Sequence, residues 1–289
     1  MHDFELLVAR STGELDQMLS DTQGRVLAGG TDLILFMEMG RMQPATVIDI
    51  SRVDALRYIR SDAGVIHIGP LTTHSELVRS PLLREWAPIL PMAAATVGAV
   101  QIRNRGTVGG NLGTASPAGD AIPALMALGA HLTLRSRRGE RRLPLGQFFT
   151  GPGRTVLAPD EYIADIDFAV PPLGAPGVYV KAGRRKAQAI SLVSVGVQMR
   201  LPDVSICLGA VAPVVIHASA AEQILRGKRL TPALCRQAAQ AAAGEARPIS
   251  DVRASATYRA DLVEIWVRRT LDACRGDAGV EENAEAGQP

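Results

Sequence analysis

The sequence predicts a protein of mixed helices and strands built in two parts, and three observations predict it. Near the N-terminus "RVLAGG", "TDLILFMEMG" and "ATVIDIS" read as strand, glycine turn, helix and strand, the local grammar of a ligand-binding α/β unit. In mid-chain, "VIHIGP" and "HLTLRSRRGERRLPL" bracket a helical stretch, and Leu132 and Leu134 alternate with polar neighbours up to a hairpin turn at "RRGE". Beyond the proline-rich "VPPLGAPG", Val170 to Gly177, the β-like runs "ISLVSVGVQMRL" and "SICLGAVA" meet at a "PD" turn and are followed by helices.

Local signals place the elements. Ser11 is an N-cap residue with Glu14 at capping-box spacing. "THSELVRSPLLREWAPILPMAAATV" reads as helices interrupted at Pro81 and Pro88, because proline removes a backbone donor and clashes with the preceding turn. The glycine-rich "TVGGNLGTASPAGD", Thr107 to Asp120, is expected to be a flexible loop ahead of a helix-like run. The five arginines between Arg135 and Arg142 read as a phosphate or nucleic-acid patch or, preferably, as the solvated face and turn of the hairpin. "SAAEQILRG" and "TPALCRQAAQAAAGEA" are helical, and Ser250 and Asp251 are expected to cap a last long helix. On that helix Leu262, Ile265 and Trp266 would share one stripe, with Arg253 and Arg259 on the surface. The polar tail, 276–289, is expected to be disordered.

Composition narrows the function. With 289 residues the chain can form two ordinary domains, and 4% aromatics require a core of Ala, Leu, Val and Ile. Lys and Arg number 31 against 29 Asp and Glu, without the basic excess of a dedicated nucleic-acid binder. Cys207, Cys235 and Cys274 are far apart, whereas an iron–sulfur cluster needs four thiolates, so they read as buried small hydrophobes in a reducing compartment. No apolar run approaches a membrane span, and the N-terminus lacks a signal-peptide pattern; a cytoplasmic protein is expected.

Two glycine-rich segments carry the chemical signal: Ala28-Gly29-Gly30-Thr31-Asp32, and Thr107-Val108-Gly109-Gly110-Asn111. Bare glycine backbone can present successive N–H groups to an anion, and two such nests could share one diphosphate; ordinary tight turns are the other reading. Walker and Rossmann patterns are absent. His2, His67, His74, His131 and His217 lie too far apart for ligand spacing, and each is expected to be a satisfied surface or core histidine.

"LAGGTDLI" (Leu27 to Ile34), "QIRNRGTVGGNLGTASPAGD" (Gln101 to Asp120) and "ISDVRASATYR" (Ile249 to Arg259) occur in that order. Together they closely resemble the FAD-binding medium subunit of molybdenum hydroxylases, the xanthine dehydrogenase and carbon monoxide dehydrogenase family. "GPGRTVL", "YVKAGRRKA" and "LGAVAP" agree, so the resemblance covers almost the whole chain. It implies an α+β fold: a two-subdomain FAD-binding domain of the vanillyl-alcohol-oxidase (PCMH) type over 1–170, with subdomains of about 1–55 and 56–170. A C-terminal domain of antiparallel sheet and helices over 177–275 would follow.

The resemblance further implies non-covalent FAD held by Leu27, Ala28, Gly29, Gly30, Thr31, Asp32 and Leu33 and by Thr107, Val108, Gly109, Gly110 and Asn111. Val97 and Ile163 would lie around the cofactor, Lys181 near the flavin ring or the diphosphate edge, and Asp120 on a cofactor hydroxyl or N–H. Electrons would enter from [2Fe–2S] clusters of a small subunit and leave to an external acceptor, with hydroxylation at a molybdopterin centre in a large subunit, in a dimer of heterotrimers. No residue is assigned as acid, base or nucleophile. The run Ala189-Ile190-Ser191 departs from the family pattern, with Ile190 where tyrosine often stands and no preceding aspartate. Other readings are a self-contained, MurB-like FAD oxidoreductase of the same fold, or a flavin-free scaffold subunit.

Overall fold

The computed structural model describes residues 2–185, 187–200 and 202–275; the predicted disordered tail, 276–289, lies outside the described residues. The chain opens with β1 (Glu5–Val8), α1 (Thr12–Thr22), β2 (Arg25–Leu27), α2 (Leu33–Glu38) and β3 (Thr46–Asp49). These strands form a parallel sheet in the order β1-β3-β2. Ser11 caps α1 by accepting from the Glu14 N–H at 3.1 Å. Leu15 and Leu19, four apart on α1, bury one face of that helix with Ile48 of β3.

Next come β4 (Ile59–Asp62), β5 (Val65–Ile68), α3 (His74–Arg79), α4 (Pro81–Trp86), α5 (Ile89–Ala95), α6 (Val100–Arg105), α7 (Val108–Thr114) and α8 (Ala121–Ala127). They are followed by β6 (His131–Ser136), β7 (Gly139–Pro144), β8 (Phe149–Gly151), β9 (Arg154–Thr155) and β10 (Tyr162–Ala169). A five-stranded antiparallel sheet runs β4-β5-β10-β6-β7. Its central strand, β10, was not anticipated from the sequence; its partners are remote, Ile166 facing Ile68 on one side and Leu132 on the other. The hairpin of β6 and β7 turns at Arg137-Arg138 as expected. Arg135, Arg138, Arg141 and Arg142 pair with Asp16, Asp160, Glu161 and Asp167, so these arginines are a solvated hairpin face matched by the protein's own carboxylates.

The last part comprises β11 (Gly177–Ala182), β12 (Val193–Arg200), β13 (Asp203–Gly209), β14 (Ile216–His217), α9 (Ser219–Leu225), α10 (Pro232–Glu245) and α11 (Ala256–Cys274). Its antiparallel sheet runs β11-β12-β13-β14 and is covered on both faces. Val193, Val195 and Val197 point into a core shared with α10 and α11. The alternate residues meet α8: a Cβ on Gly196 would sit 2.9 Å from the Pro123 carbonyl oxygen. Only glycine lets α8 of the first part approach the sheet of the second this closely.

Three expectations are corrected. The stretch from Val108 to Thr114 is a helix, not a flexible loop: Thr107 caps it by accepting from the Gly110 N–H, and Val108 and Leu112 are buried. Burial and the cap outweigh the glycines' low helix propensity. The cap of α11 is Ser255, which accepts from the Tyr258 N–H, while Ser250 receives the Ala256 N–H from outside the helix. Arg259 is not a surface residue but 3% exposed, donating to the Leu192 and Ala210 carbonyls and to Asp251. The buried face of α11 is Val263, Val267 and Leu271, with Leu262 and Trp266 at its margin and Ile265 39% exposed. All three cysteines are buried and unbridged, as predicted.

Candidate functional site

A groove of about 780 Å³ runs between the parallel sheet and the five-stranded sheet. The turn from β2 to α2 forms one wall, α7 and the turn before it the other, and the segment 150–163 closes one side. That volume is in the range of a substantial cofactor site.

The two walls touch. A Cβ on Gly29 would fall 2.0 Å from the Arg105 carbonyl oxygen, so the first glycine turn crosses the second backbone at a distance only glycine permits. Thr114 of α7 donates its hydroxyl to the Asp32 carboxylate at 2.8 Å, tying α7 to the start of α2. Gly30 has φ +79°, a left-handed conformation that disfavours any side chain.

Their hydrogen bonds distinguish the walls. Among the described residues the N–H groups of Gly29, Gly30, Thr31 and Asp32 have no protein acceptor. Four consecutive donors without a protein acceptor, on half-buried residues of a groove wall, form a nest open to an anion. The second wall is the reverse. Val108 N–H donates to the Thr72 carbonyl, Gly109 to Pro70, Gly110 to the Thr107 hydroxyl and Asn111 to the Thr107 carbonyl. The expected nest of backbone donors is therefore present at 29–32 and already engaged at 108–111. Gly109 is glycine because a Cβ there would meet Pro70 at 2.5 Å, whereas at Gly113 a Cβ would meet nothing within 4 Å.

Of the residues singled out from the sequence, Ala28, Gly29, Gly30, Thr31, Asp32, Leu33, Val97, Thr107, Gly109, Gly110, Asn111 and Ile163 line this groove. Leu27, Val108, Asp120 and Lys181 do not. Leu27 ends β2, and Val108, the first residue of α7, is fully buried on that helix's inner face. Asp120 and Lys181 face each other where the two parts of the chain meet, Nζ to Oδ2 at 2.6 Å, with both side chains under 10% exposed. Tyr179 and Ser191 donate to the other Asp120 oxygen, and Lys181 also donates to the Thr96 carbonyl, one residue before Val97. Burial pushes the Asp120 carboxyl up, opposed by Lys181 and the two hydroxyls.

Sequence reasoning missed His74, Arg25 and Arg154, which also line the groove. Arg25 and Arg154 have no carboxylate partner among the described residues and leave positive charge at the rim. His74 is 2% exposed, and its Nδ1 is buried without a hydrogen-bond partner, contrary to the expectation of a satisfied histidine. His67 and His217, by contrast, pair with Asp165 and Glu222. The sequence signals only the position of His74, since Thr73 and Glu76 complete a capping box that places it in the first turn of α3, and not that its ring lacks a partner.

Residues 2–171 match the family described as the FAD-binding domain in molybdopterin dehydrogenase, and 178–274 match the carbon monoxide dehydrogenase flavoprotein C-terminal domain. The nicotinate dehydrogenase FAD-subunit of Eubacterium barkeri is 35% identical over 243 residues, 80% of this chain and 82% of that one. The carbon monoxide dehydrogenase medium chain of Hydrogenophaga pseudoflava is 31% identical over 277 residues, covering 93% and 96%. The solved structure of carbon monoxide dehydrogenase from that organism superposes with a TM-score of 0.91 at 31% identity, over 96% of this chain and 98% of that one. The family match over more than half of the chain and the identity to these subunits agree with the groove and its glycine wall: the chain belongs to the FAD-binding medium subunits of the molybdenum hydroxylases, oxidoreductases of the xanthine dehydrogenase and carbon monoxide dehydrogenase family.

Proposed function

We propose that the groove holds FAD non-covalently and that this chain is the middle electron carrier of a heterotrimer. The observation that carries this reading is the run of four unpaired N–H groups at Gly29 to Asp32, a donor set complementary to a diphosphate. The residues fit the group in two further respects. Gly113 presents open space on the facing wall, and the unpaired Arg25 and Arg154 supply positive charge beside a dianionic ligand. The chemistry FAD would supply there is redox: a place for electrons from iron–sulfur clusters of a partner on their way to an external acceptor.

The chain's own residues bind and orient. Gly29 to Asp32 would hold the diphosphate and Asn111 would approach from α7, while Val97 and Ile163 enclose the cofactor. Leu27 and Val108 act from behind, by fixing β2 and α7. Lys181 and Asp120 would support the flavin end through Thr96 and Val97, as positioning residues. We assign residues 1–170 to a flavin domain of the vanillyl-alcohol-oxidase type, with subdomains of about 1–55 and 56–170, and 177–275 to a C-terminal domain. The partners would be a large molybdopterin subunit and a small [2Fe–2S] subunit, arranged as a cytoplasmic dimer of heterotrimers. No helix among the described residues is long and apolar enough to cross a membrane.

Gly113→Leu tests the site. The new side chain meets no protein atom within 4 Å of its Cβ, so the apo-protein should fold with unchanged or slightly raised stability, because glycine inside a helix costs about 1 kcal/mol against a better helix former. FAD affinity, read by fluorescence titration, should fall at least tenfold. Unchanged affinity would place the cofactor elsewhere.

A further inference from the structure

His74 lies where the two walls converge. The Cβ position of Gly106 is 3.3 Å from the Cδ2 of His74 and 3.4 Å from the Thr31 hydroxyl, so the imidazole edge and the free-donor wall flank the same point. The ring lines the groove although the residue is 2% exposed. Its backbone is fixed from two sides: its own N–H donates to the Gly106 carbonyl at 3.0 Å, and it follows the N-cap Thr73. Nothing in the core explains a polar ring here, since neither ring nitrogen has a protein partner among the described residues.

The unpaired Nδ1 settles where the proton sits. Nδ1 is enclosed, and a proton on it would be a buried donor with no acceptor, which costs more than an unused lone pair on an under-satisfied acceptor. The neutral ring therefore carries its hydrogen on Nε2. Burial and, secondarily, the nearby Arg103 guanidinium hold the imidazole down at about 4, so it stays neutral at physiological pH and offers a single N–H.

Resting on the FAD reading above, we infer that His74 is a cofactor-binding residue whose Nε2–H donates to the diphosphate of FAD, adding one side-chain donor to the backbone donors of Gly29 to Asp32. It is the chain's device for making the anion-binding point directional: backbone donors approach from the first wall, and this one from beneath the second. Nδ1 stays an unused acceptor in either state, and what the diphosphate adds is an acceptor for Nε2–H, the ring nitrogen that faces the groove.

The test compares His74→Gln, His74→Asn and His74→Leu in the deflavinated complex, titrated with FAD, ADP and riboflavin. The glutamine amide reaches the Nε2 position, asparagine reaches only Nδ1, and leucine supplies no donor. A hydrogen bond to a charged acceptor corresponds to roughly tenfold or more in affinity. FAD and ADP should both bind at least tenfold more weakly to the Leu and Asn variants and within about threefold of wild type to the Gln variant. Riboflavin, which lacks the phosphates, should be indifferent to all three substitutions. The apo form of His74→Leu should melt at or above the wild-type temperature, since it loses an unsatisfied buried group. Wild-type FAD affinity in His74→Leu, equal losses in Leu and Gln, or an effect on riboflavin but not on ADP would each overturn the inference. Failure of the wild-type complex to bind FAD at all would instead overturn the functional reading beneath it.

Discussion

At the scale of the residue, glycines with one expected purpose separate into several. Gly29 and Gly109 are required by neighbouring backbone and by Pro70, Gly30 by its left-handed φ, and Gly113 by nothing in the protein itself. The sequence shows all of them as one flexible cluster, because what a missing Cβ would strike is a property of remote segments such as Arg105. His74 was illegible for a related reason: only the fold reveals that its ring has no partner. It carries a measurable signature even without cofactor. Its folded pKa of about 4 lies below the ordinary 6.5, so between those values the unfolded chain binds the extra proton. Stability of the apo-protein should therefore rise from pH 4 to pH 6.5 and flatten above, by on the order of 3 kcal/mol in all. Denaturant titrations at several pH values should show this component in wild type and not in His74→Leu.

At the scale of the element, patterning that lies within one segment was readable. The strand–turn–helix entry to the groove, the hairpin of β6 and β7 and the paired strands β12 and β13 follow from local alternation and turn residues. Of the elements that escaped, β10 and α7 show why. β10 is specified by pairing with segments about a hundred residues earlier and some thirty residues earlier, and its own sequence carries two aspartates on a mostly buried strand. Helix α7 was hidden by its glycines, and its existence depends on the Thr107 cap and on the burial of its own Val108 and Leu112. Thr107→Ala should cost about 1 kcal/mol in denaturant unfolding through loss of the cap. FAD affinity should drop modestly, by less than in Gly113→Leu, since the variant loosens the wall without filling the groove. Affinity loss equal to that of Gly113→Leu would mean that the Thr107 hydroxyl itself touches the cofactor.

At the scale of the whole molecule, the groove belongs entirely to the first part of the chain, yet its Val97 end is anchored across the seam by Lys181 and Asp120. The resemblance named this pair as cofactor contacts; their bond to each other was not legible, because residues 120 and 181 meet only when α8 packs on the second sheet. Breaking a buried pair from one side strands a charge, so Asp120→Asn should destabilise by about 3–5 kcal/mol, and adding Lys181→Met should recover much of the loss. The double variant separates stability from cofactor binding: restored melting with FAD affinity still reduced would show that the pair also positions the cofactor.

The central proposal is that this chain holds one FAD without a covalent bond. The most direct measurement is the molar ratio of flavin to chain released into the supernatant when the purified isolated chain is precipitated with acid. The account predicts one FAD per chain in the supernatant and a colourless pellet. A chain with no flavin after reconstitution, or with flavin remaining in the pellet, would contradict it.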